Sequence, residues 1–442
     1  MRNLILFLAF VLRPCLGSGK EIYRGNQLWF VFVNTDNDLK WLLSEEEQSM
    51  GELDFWSQLG IGRRIVVMVS HSYIHEFKVK LMERQIEYQT VHHDVQVEID
   101  KFHQHDIVKR SLSDLAIGDF DYEIYHTYDE IQQWLRDMAD EYTFVHKFTL
   151  GYTFENREIG GIEIAAPALN DGEFQATVPK PIVYFEGGIH AREWITPATI
   201  MYFTRELLDA YENGEDNARK ILGIFDLHIV PSLNGDGYAF TWEHERLWRK
   251  SRQPNIGFGC VGTDLNRNFG SFWGRPGGAS RWPCSGLFRG FAPFDNNETK
   301  AVDDYFKTLK AQRRKIKVFI DWHNWGQMIL APWSYAVTDK LPAESEDQLA
   351  AGEAMAEAMT ATNFIPEGFK AGVSAQLLYE MTGSSNDYGF AGTPEAKYSY
   401  VVELRDSGHF EFLIPPDQIR LSGEEGYDGV VALLDWIINN DY

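Results

Sequence analysis

Short apolar runs rich in β-branched and aromatic residues alternate with longer stretches of helical spacing along most of the chain. In the first hundred residues, segments 28–33 and 65–70 read as strands, and 38–48 and 73–85 as helices. Strand, helix, strand, helix and a further strand over about residues 21–106 suggest a small α/β open sandwich. From about Tyr122 the alternation lengthens. Segments 181–186, 225–231, 315–322 and 398–404 read as strands with helices between them, and 427–439 as a closing helix. Thr196-Pro197 reads as the N-cap and first residue of a helix over 198–211. The implied fold is α/β, a doubly wound, mixed but mostly parallel sheet preceded by the smaller domain. Such sheets bind ligands at the carboxyl ends of their strands.

The extreme N-terminus breaks this pattern. Arg2, the apolar run 4–12 and Cys15-Leu16-Gly17 have the order of a secretory leader, cut near residue 17. That apolar run is too short to span a bilayer, and no later window reaches the necessary ~20 residues. Secretion makes sense of the cysteines. Cys15 leaves with the leader, and Cys260 and Cys284 should pair in an oxidising compartment. Closing that loop is worth about 3–4 kcal/mol on the chain-entropy view. A formal net charge of −24 argues against nucleic acid and anionic membrane as partners. The polar stretch ending in Lys109-Arg110-Ser111 reads as an interdomain link open to proteolysis. Asn297-Glu298-Thr299 is a candidate glycosylation sequon.

The chemistry collects at strand ends. His190 and Glu193 follow strand 181–186 after the Gly187-Gly188 turn, His323 ends strand 315–322, and Glu403 lies near the end of 398–404. Two histidines and a carboxylate leave a tetrahedral zinc one open position, and a further carboxylate can accept a proton from water there. Each residue alone has a plainer reading: His323 as a hydrogen-bonded core histidine, Glu403 as the partner of Arg405. The histidines of the first domain (His71, His75, His92, His93, His103 and His105) have no companion carboxylates at metal-binding spacing.

Five segments, in order, resemble the zinc metallocarboxypeptidases of the pancreatic A/B type over essentially the whole chain. Gly187-Gly188-Ile189-His190-Ala191-Arg192-Glu193-Trp194 is similar to that family's first zinc motif, and Arg246-Leu247-Trp248-Arg249-Lys250 to its arginine segment. Asp264-Leu265-Asn266-Arg267-Asn268 is similar to its carboxylate-binding segment, the region of Tyr379 to its mobile tyrosine loop, and Glu403-Leu404-Arg405-Asp406 to its catalytic glutamate motif. The resemblance implies a leader over 1–17, an activation propeptide over 18–110 and a catalytic domain over 111–442. It implies one zinc ion held by His190, Glu193 and His323, Glu403 as proton acceptor, and Arg249 facing the oxyanion. Asn266 and Arg267 would grip the terminal carboxylate of a peptide, with Tyr379 closing over it, Arg192 binding the peptide upstream and Asp264 orienting His190. An activating trypsin-like protease would cut near Arg110.

The pocket floor is implied to be Asn386, with walls Ser334, Ser374, Met381, Ser384 and Val401, all uncharged. This predicts removal of neutral terminal residues, aromatic, aliphatic or polar, and so an A-like enzyme. Two positions depart from the family: Trp325 stands where a tyrosine is usual, and Gly235 where a proline is usual. A catalytically weak, peptide-binding member of the same fold is the alternative, yet no implied ligand or base is missing. No Gly-x-Ser-x-Gly elbow or His-Glu-x-x-His motif occurs, which disfavours serine hydrolases and zinc endopeptidases of that class.

Overall fold

The computed structural model describes residues 23–57, 60, 62–113, 120–170, 179–338 and 340–442; the leader expected over 1–17 lies outside them. In the N-terminal domain, β1 (Gln27–Val33), β2 (Leu53–Phe55), β3 (Arg63–Val69) and β4 (Glu87–His92) form an antiparallel sheet in the order β2-β3-β1-β4. Side chains alternate across it, as the pleat requires. Trp29, Val31, Val33, Ile65, Val67 and Val69 pack with Leu42, Phe77 and Leu81 of α1 (Asp36–Gln48) and α2 (Ile74–Glu83). Leu28 and Val66 face the other way and join the main core of the C-terminal domain. The open sandwich is thus closed by its neighbour.

The C-terminal sheet comprises β5 (Val145–Tyr152), β6 (Glu158–Ile164), β7 (Ile182–Gly187), β8 (Asp226–Val230), β9 (Ile316–His323), β10 (Met328–Ala331), β11 (Lys370–Val373) and β12 (Tyr398–Glu403). Their order is β11-β10-β12-β9-β7-β8-β6-β5. The central strands β8, β7, β9 and β12 run parallel, and antiparallel pairs appear towards the edges. Strands buried on both faces must be apolar on both. Val183, Phe185, Val318 and Ile320 enter one core, while Ile182, Tyr184, Ile316 and Phe319 enter the other. Burying each such large side chain contributes about 1.5–3 kcal/mol.

Helices cover both faces. On one side helix Ile419–Asp441 packs with both α5 (Ile195–Glu212) and helix Ser345–Thr362; on the other, Phe306 and Leu309 of helix Asn297–Ala311 meet Tyr184 and Phe319. Among the described residues no helix is long and apolar enough to cross a membrane.

Two sequence expectations change. The polar link before Ser111 is helical: α3 (Val95–Ser113) carries Lys109 and Arg110 in its last turns, before α4 (Tyr128–Glu141) begins. Arg110 donates to the Tyr125 carbonyl, pairs with Asp106 at 3.3 Å and lies 4.8 Å over Trp242. Lys109 pairs with Asp417 at 3.2 Å. These partners, all outside the local sequence except Asp106, stabilise a helix that composition does not announce. The second change is at α5, which starts at Ile195 with Thr196 already inside it. The Thr196 hydroxyl accepts from the Gly188 N–H at 2.9 Å and donates to the Glu193 carbonyl at 3.0 Å. It therefore ties the helix start to the turn after β7.

Candidate active site

Three neighbouring parallel strands deliver the site. After β7 the chain turns at Gly188, whose φ of +61° strains any side chain and whose would-be Cβ would crowd Ser232 at 3.0 Å. That turn carries His190 and Glu193 over the sheet end. His323 is the last residue of β9 and Glu403 the last of β12, and the two are partners in register.

His190 Nδ1 lies 2.8 Å from Glu193 Oε1, His323 Nδ1 lies 3.1 Å from Glu193 Oε2, and the two Nδ1 atoms are 3.1 Å apart. All three donors fall within 4.8 Å of one another and are buried. Imidazole nitrogens that converge on a carboxylate at this spacing present a borderline-soft N/O donor set suited to zinc, with the fourth position open. Burial disfavours a charged Glu193, but His190 and His323 hold its carboxyl well below the usual range. On the outer side, His190 Nε2 faces Asp264 Oδ1 at 3.1 Å and His323 Nε2 faces Asp321 Oδ2 at 2.8 Å. Asp264 is pulled down against its burial by Arg249, Arg267 and His190.

Around this set lie the other expected residues. Glu403 lines the cleft, and burial pushes its carboxyl up to about 8 against the pull of His323; a dication beside it acts in the opposite direction. Arg249 pairs with Asp264 at 2.9 Å and reaches within 3.9 Å of Glu193. Arg267 donates to the Gly278 carbonyl at 2.7 Å and to the Tyr379 hydroxyl at 2.8 Å. Asn266 sets its amide nitrogen 3.2 Å from His323 Nε2. Cys260 and Cys284 are joined in a disulfide.

Asn386 does not line the cleft; it is fully buried, its carboxamide oxygen accepting from the Ser334 hydroxyl at 2.8 Å. Asp387 beside it accepts from the backbone N–H of Ser334 and Tyr335, at 2.8 and 3.0 Å, and burial raises it to about 7.

The cleft is narrow, about 80 Å³, because the N-terminal domain closes it. Phe55, Trp56 and Ser57 line it from that side. Arg192 donates to Asp54 at 2.6 Å and to the Phe55 carbonyl at 3.0 Å, and stacks 4.1 Å over Phe412. Sequence reading missed Asp54, Asp321 and Ser385. The Asp321-x-His323 spacing on a strand, which points both side chains to one face, was the one local signal for Asp321.

Comparison with known proteins agrees with this geometry. The zinc carboxypeptidase family profile matches residues 131–429, and the carboxypeptidase activation peptide profile matches 29–102. Human carboxypeptidase O is 37% identical over 337 residues, which cover 75% of this chain and 84% of that protein. Rat carboxypeptidase A2 is 31% identical over 427 residues, 96% of each. The crystal structure of carboxypeptidase A from Helicoverpa armigera superposes with a TM-score of 0.82 at 27% identity, covering 95% of this chain and 99% of that one. Thrombin-activatable fibrinolysis inhibitor superposes with a TM-score of 0.79 at the same identity, over 95% of this chain. With three buried zinc-type donors at the strand ends and an activation domain lying over them, this chain belongs to the zinc carboxypeptidases and is a metallocarboxypeptidase made with an activation peptide.

Proposed function

We propose that the protein is a secreted zymogen, with a leader over 1–17, an activation segment over 18–110 and an enzyme over 111–442, which removes neutral residues from peptide C-termini. The observation that carries this reading is the convergence of Arg249, Arg267 and Glu403 on a cleft that also holds His190, Glu193 and His323. Zinc held by those three supplies polarisation of the scissile carbonyl and acidification of water. Glu403, next to His323 in register, accepts the proton of the attacking water and passes it to the leaving amine. Arg249 is braced by Asp264, so its free N–H groups stay aimed at charge that develops on the carbonyl oxygen. Arg267 and Asn266 bind the terminal carboxylate as a fork, which restricts the enzyme to chain ends. The Tyr379 hydroxyl, which accepts from Arg267 here, gives way to that carboxylate and then covers it.

Specificity follows from which charges are free. Asn386 is neutral and its amide is engaged by Ser334 and by the Leu330 carbonyl. Asp387 is committed to two backbone N–H groups. Neither Asn386 nor Asp387 is thus left to pair with a terminal arginine or lysine, whose burial needs a carboxylate. Of the expected walls, Met381 and Val401 line the cleft, and both are uncharged, as neutral terminal residues require.

Latency follows from Arg192, held by Asp54 and Phe55 across the cleft. A trypsin-like protease cutting after Arg110 must first open the last turns of α3, where Arg110 is held by Asp106 and by the Tyr125 carbonyl beyond the helix. The test is kcat/KM on blocked dipeptides differing only in their last residue, before and after tryptic cleavage. Strong activation and a preference for phenylalanine or leucine over arginine are expected; an arginine preference would overturn the specificity reading.

A further inference from the structure

The outer nitrogen of His323 is claimed by two side chains with opposite demands. Asp321 Oδ2 lies 2.8 Å from Nε2, and the Asn266 amide nitrogen lies 3.2 Å from the same atom. A carboxylate offers only lone pairs, so Asp321 requires a proton on Nε2. An amide nitrogen offers only hydrogens, so Asn266 requires Nε2 bare. A neutral imidazole has one proton to place. With the proton on Nε2, Nδ1 keeps its lone pair towards His190 and Glu193. With Nε2 bare, the proton sits on Nδ1, in the position a metal would take.

Neither competitor can turn away. The Asn266 carboxamide oxygen accepts from the Ser385 N–H at 2.8 Å, which points its amide nitrogen at the ring. Asp321 Oδ2 accepts from the Ser385 hydroxyl at 2.6 Å. One residue thus pins both, and all four side chains are buried. An ionised acceptor makes the shorter and stronger bond. The arrangement at His190 differs: Asp264 meets Nε2 with no opposing amide and also braces Arg249.

We propose that Asp321 is a positioning residue that sets the metal-binding tautomer of His323 against Asn266, with Ser385 fixing both. The inference rests on the zinc site read above. Its test is the zinc affinity of the full-length protein by chelator competition. Asp321→Ala should weaken zinc by about 10–100-fold, and Asp321→Ala with Asn266→Ala should regain a substantial part, because the opposing donor is gone. In the zinc-loaded protein the Nε2 proton of His323 should resonate far downfield in the unchanged chain, where a carboxylate accepts it, and should lose that shift in the Asp321→Ala variant. If that variant does not fold, Asp321→Asn keeps the volume and should still lose zinc affinity severalfold with the zinc-free melting temperature retained. Affinity within about twofold of the unchanged chain, or no recovery on adding Asn266→Ala, overturns the assignment. An unchanged chain that binds no zinc would instead sink the metal reading itself.

Discussion

The two domains handle buried charge in opposite ways. In the catalytic domain the acidic groups behind the two histidines are balanced by their own domain: Asp264 by His190 and Arg249, and Asp321 by His323 and Ser385. In the N-terminal domain Glu45 is balanced at home by Tyr73 and Lys80, at 2.5 Å from the latter, but its neighbours face outward. Glu46 accepts from the Ser285 hydroxyl at 2.8 Å and the Gly286 N–H at 2.9 Å, Glu47 from the Ser280 hydroxyl at 2.5 Å, and Asp54 from Arg192. Removing the N-terminal domain therefore leaves the zinc-type cluster intact and frees chiefly Arg192. The contrast teaches how latency can be imposed reversibly: the inhibitor spends its charges on the enzyme, and the enzyme keeps its own in reserve.

The largest effects should come from within the catalytic domain. Glu403→Gln is expected to lower kcat by about 10²–10⁴-fold while leaving zinc content unchanged, whereas His323→Ala loses zinc and activity together. Metal analysis beside turnover separates the two. Full zinc occupancy in the His323→Ala protein would falsify the ligand assignment.

Next is the carboxylate fork. Arg267→Ala should cost about 1.5–3 kcal/mol of transition-state binding, about 10–100-fold in kcat/KM, because it removes charged hydrogen bonds. A substrate amidated at its C-terminus should be insensitive to the change; equal losses for both substrates would mean that Arg267 acts through the fold.

Across the interface, Asp54→Ala leaves a buried guanidinium without its carboxylate, a kind of loss that reaches a few kcal/mol. After cleavage, the N-terminal fragment carrying it should inhibit the enzyme at least about tenfold more weakly, with the mature enzyme's own kinetics unchanged. Unaltered inhibition would show that Phe55 and Trp56 block the cleft sterically without help from charge.

The smallest effect is a pH dependence confined to the interface. Burial raises Glu46 from 4.5 to about 7, with Gly286 and Ser285 lowering it and Glu47 and Asp54 raising it; Lys250 lies close enough to feel its charge. A docked acid with a raised pKa favours docking when protonated. Docking should be strongest below about 4.5, weaken as pH rises to about 7, and level off above it. Inhibition by the cleaved fragment, measured across that window, should lose this slope in Glu46→Gln; an unchanged slope would assign it elsewhere.

Much of the architecture was legible. The strong apolar runs at β1, β3, β7, β8, β9 and β12 appear within a residue or two of expectation, because each is buried on one or both faces whatever surrounds it. β5 was not legible: it lies at the sheet edge with only two of its eight residues buried. β6 carries Gly160 and Gly161 and lacks a strand's usual composition, while β10 and β11 are only four residues long.

Order along the chain, the turn that lifts His190 and Glu193, and the placing of His323 and Glu403 at strand ends are local properties, so the sequence alone determines them. The partners of those residues are not local. Asp54 reaches Arg192 across 138 positions, Glu46 reaches Gly286 across 240, and Asn266 meets His323 across 57. Such pairings depend on which chain segments the packed sheets bring together and on which buried donors remain to be satisfied there. For that reason the tertiary structure alone decided that Lys109 and Arg110 are helical, that Arg192 is occupied by the activation domain, and that His323 stands between two competing neighbours.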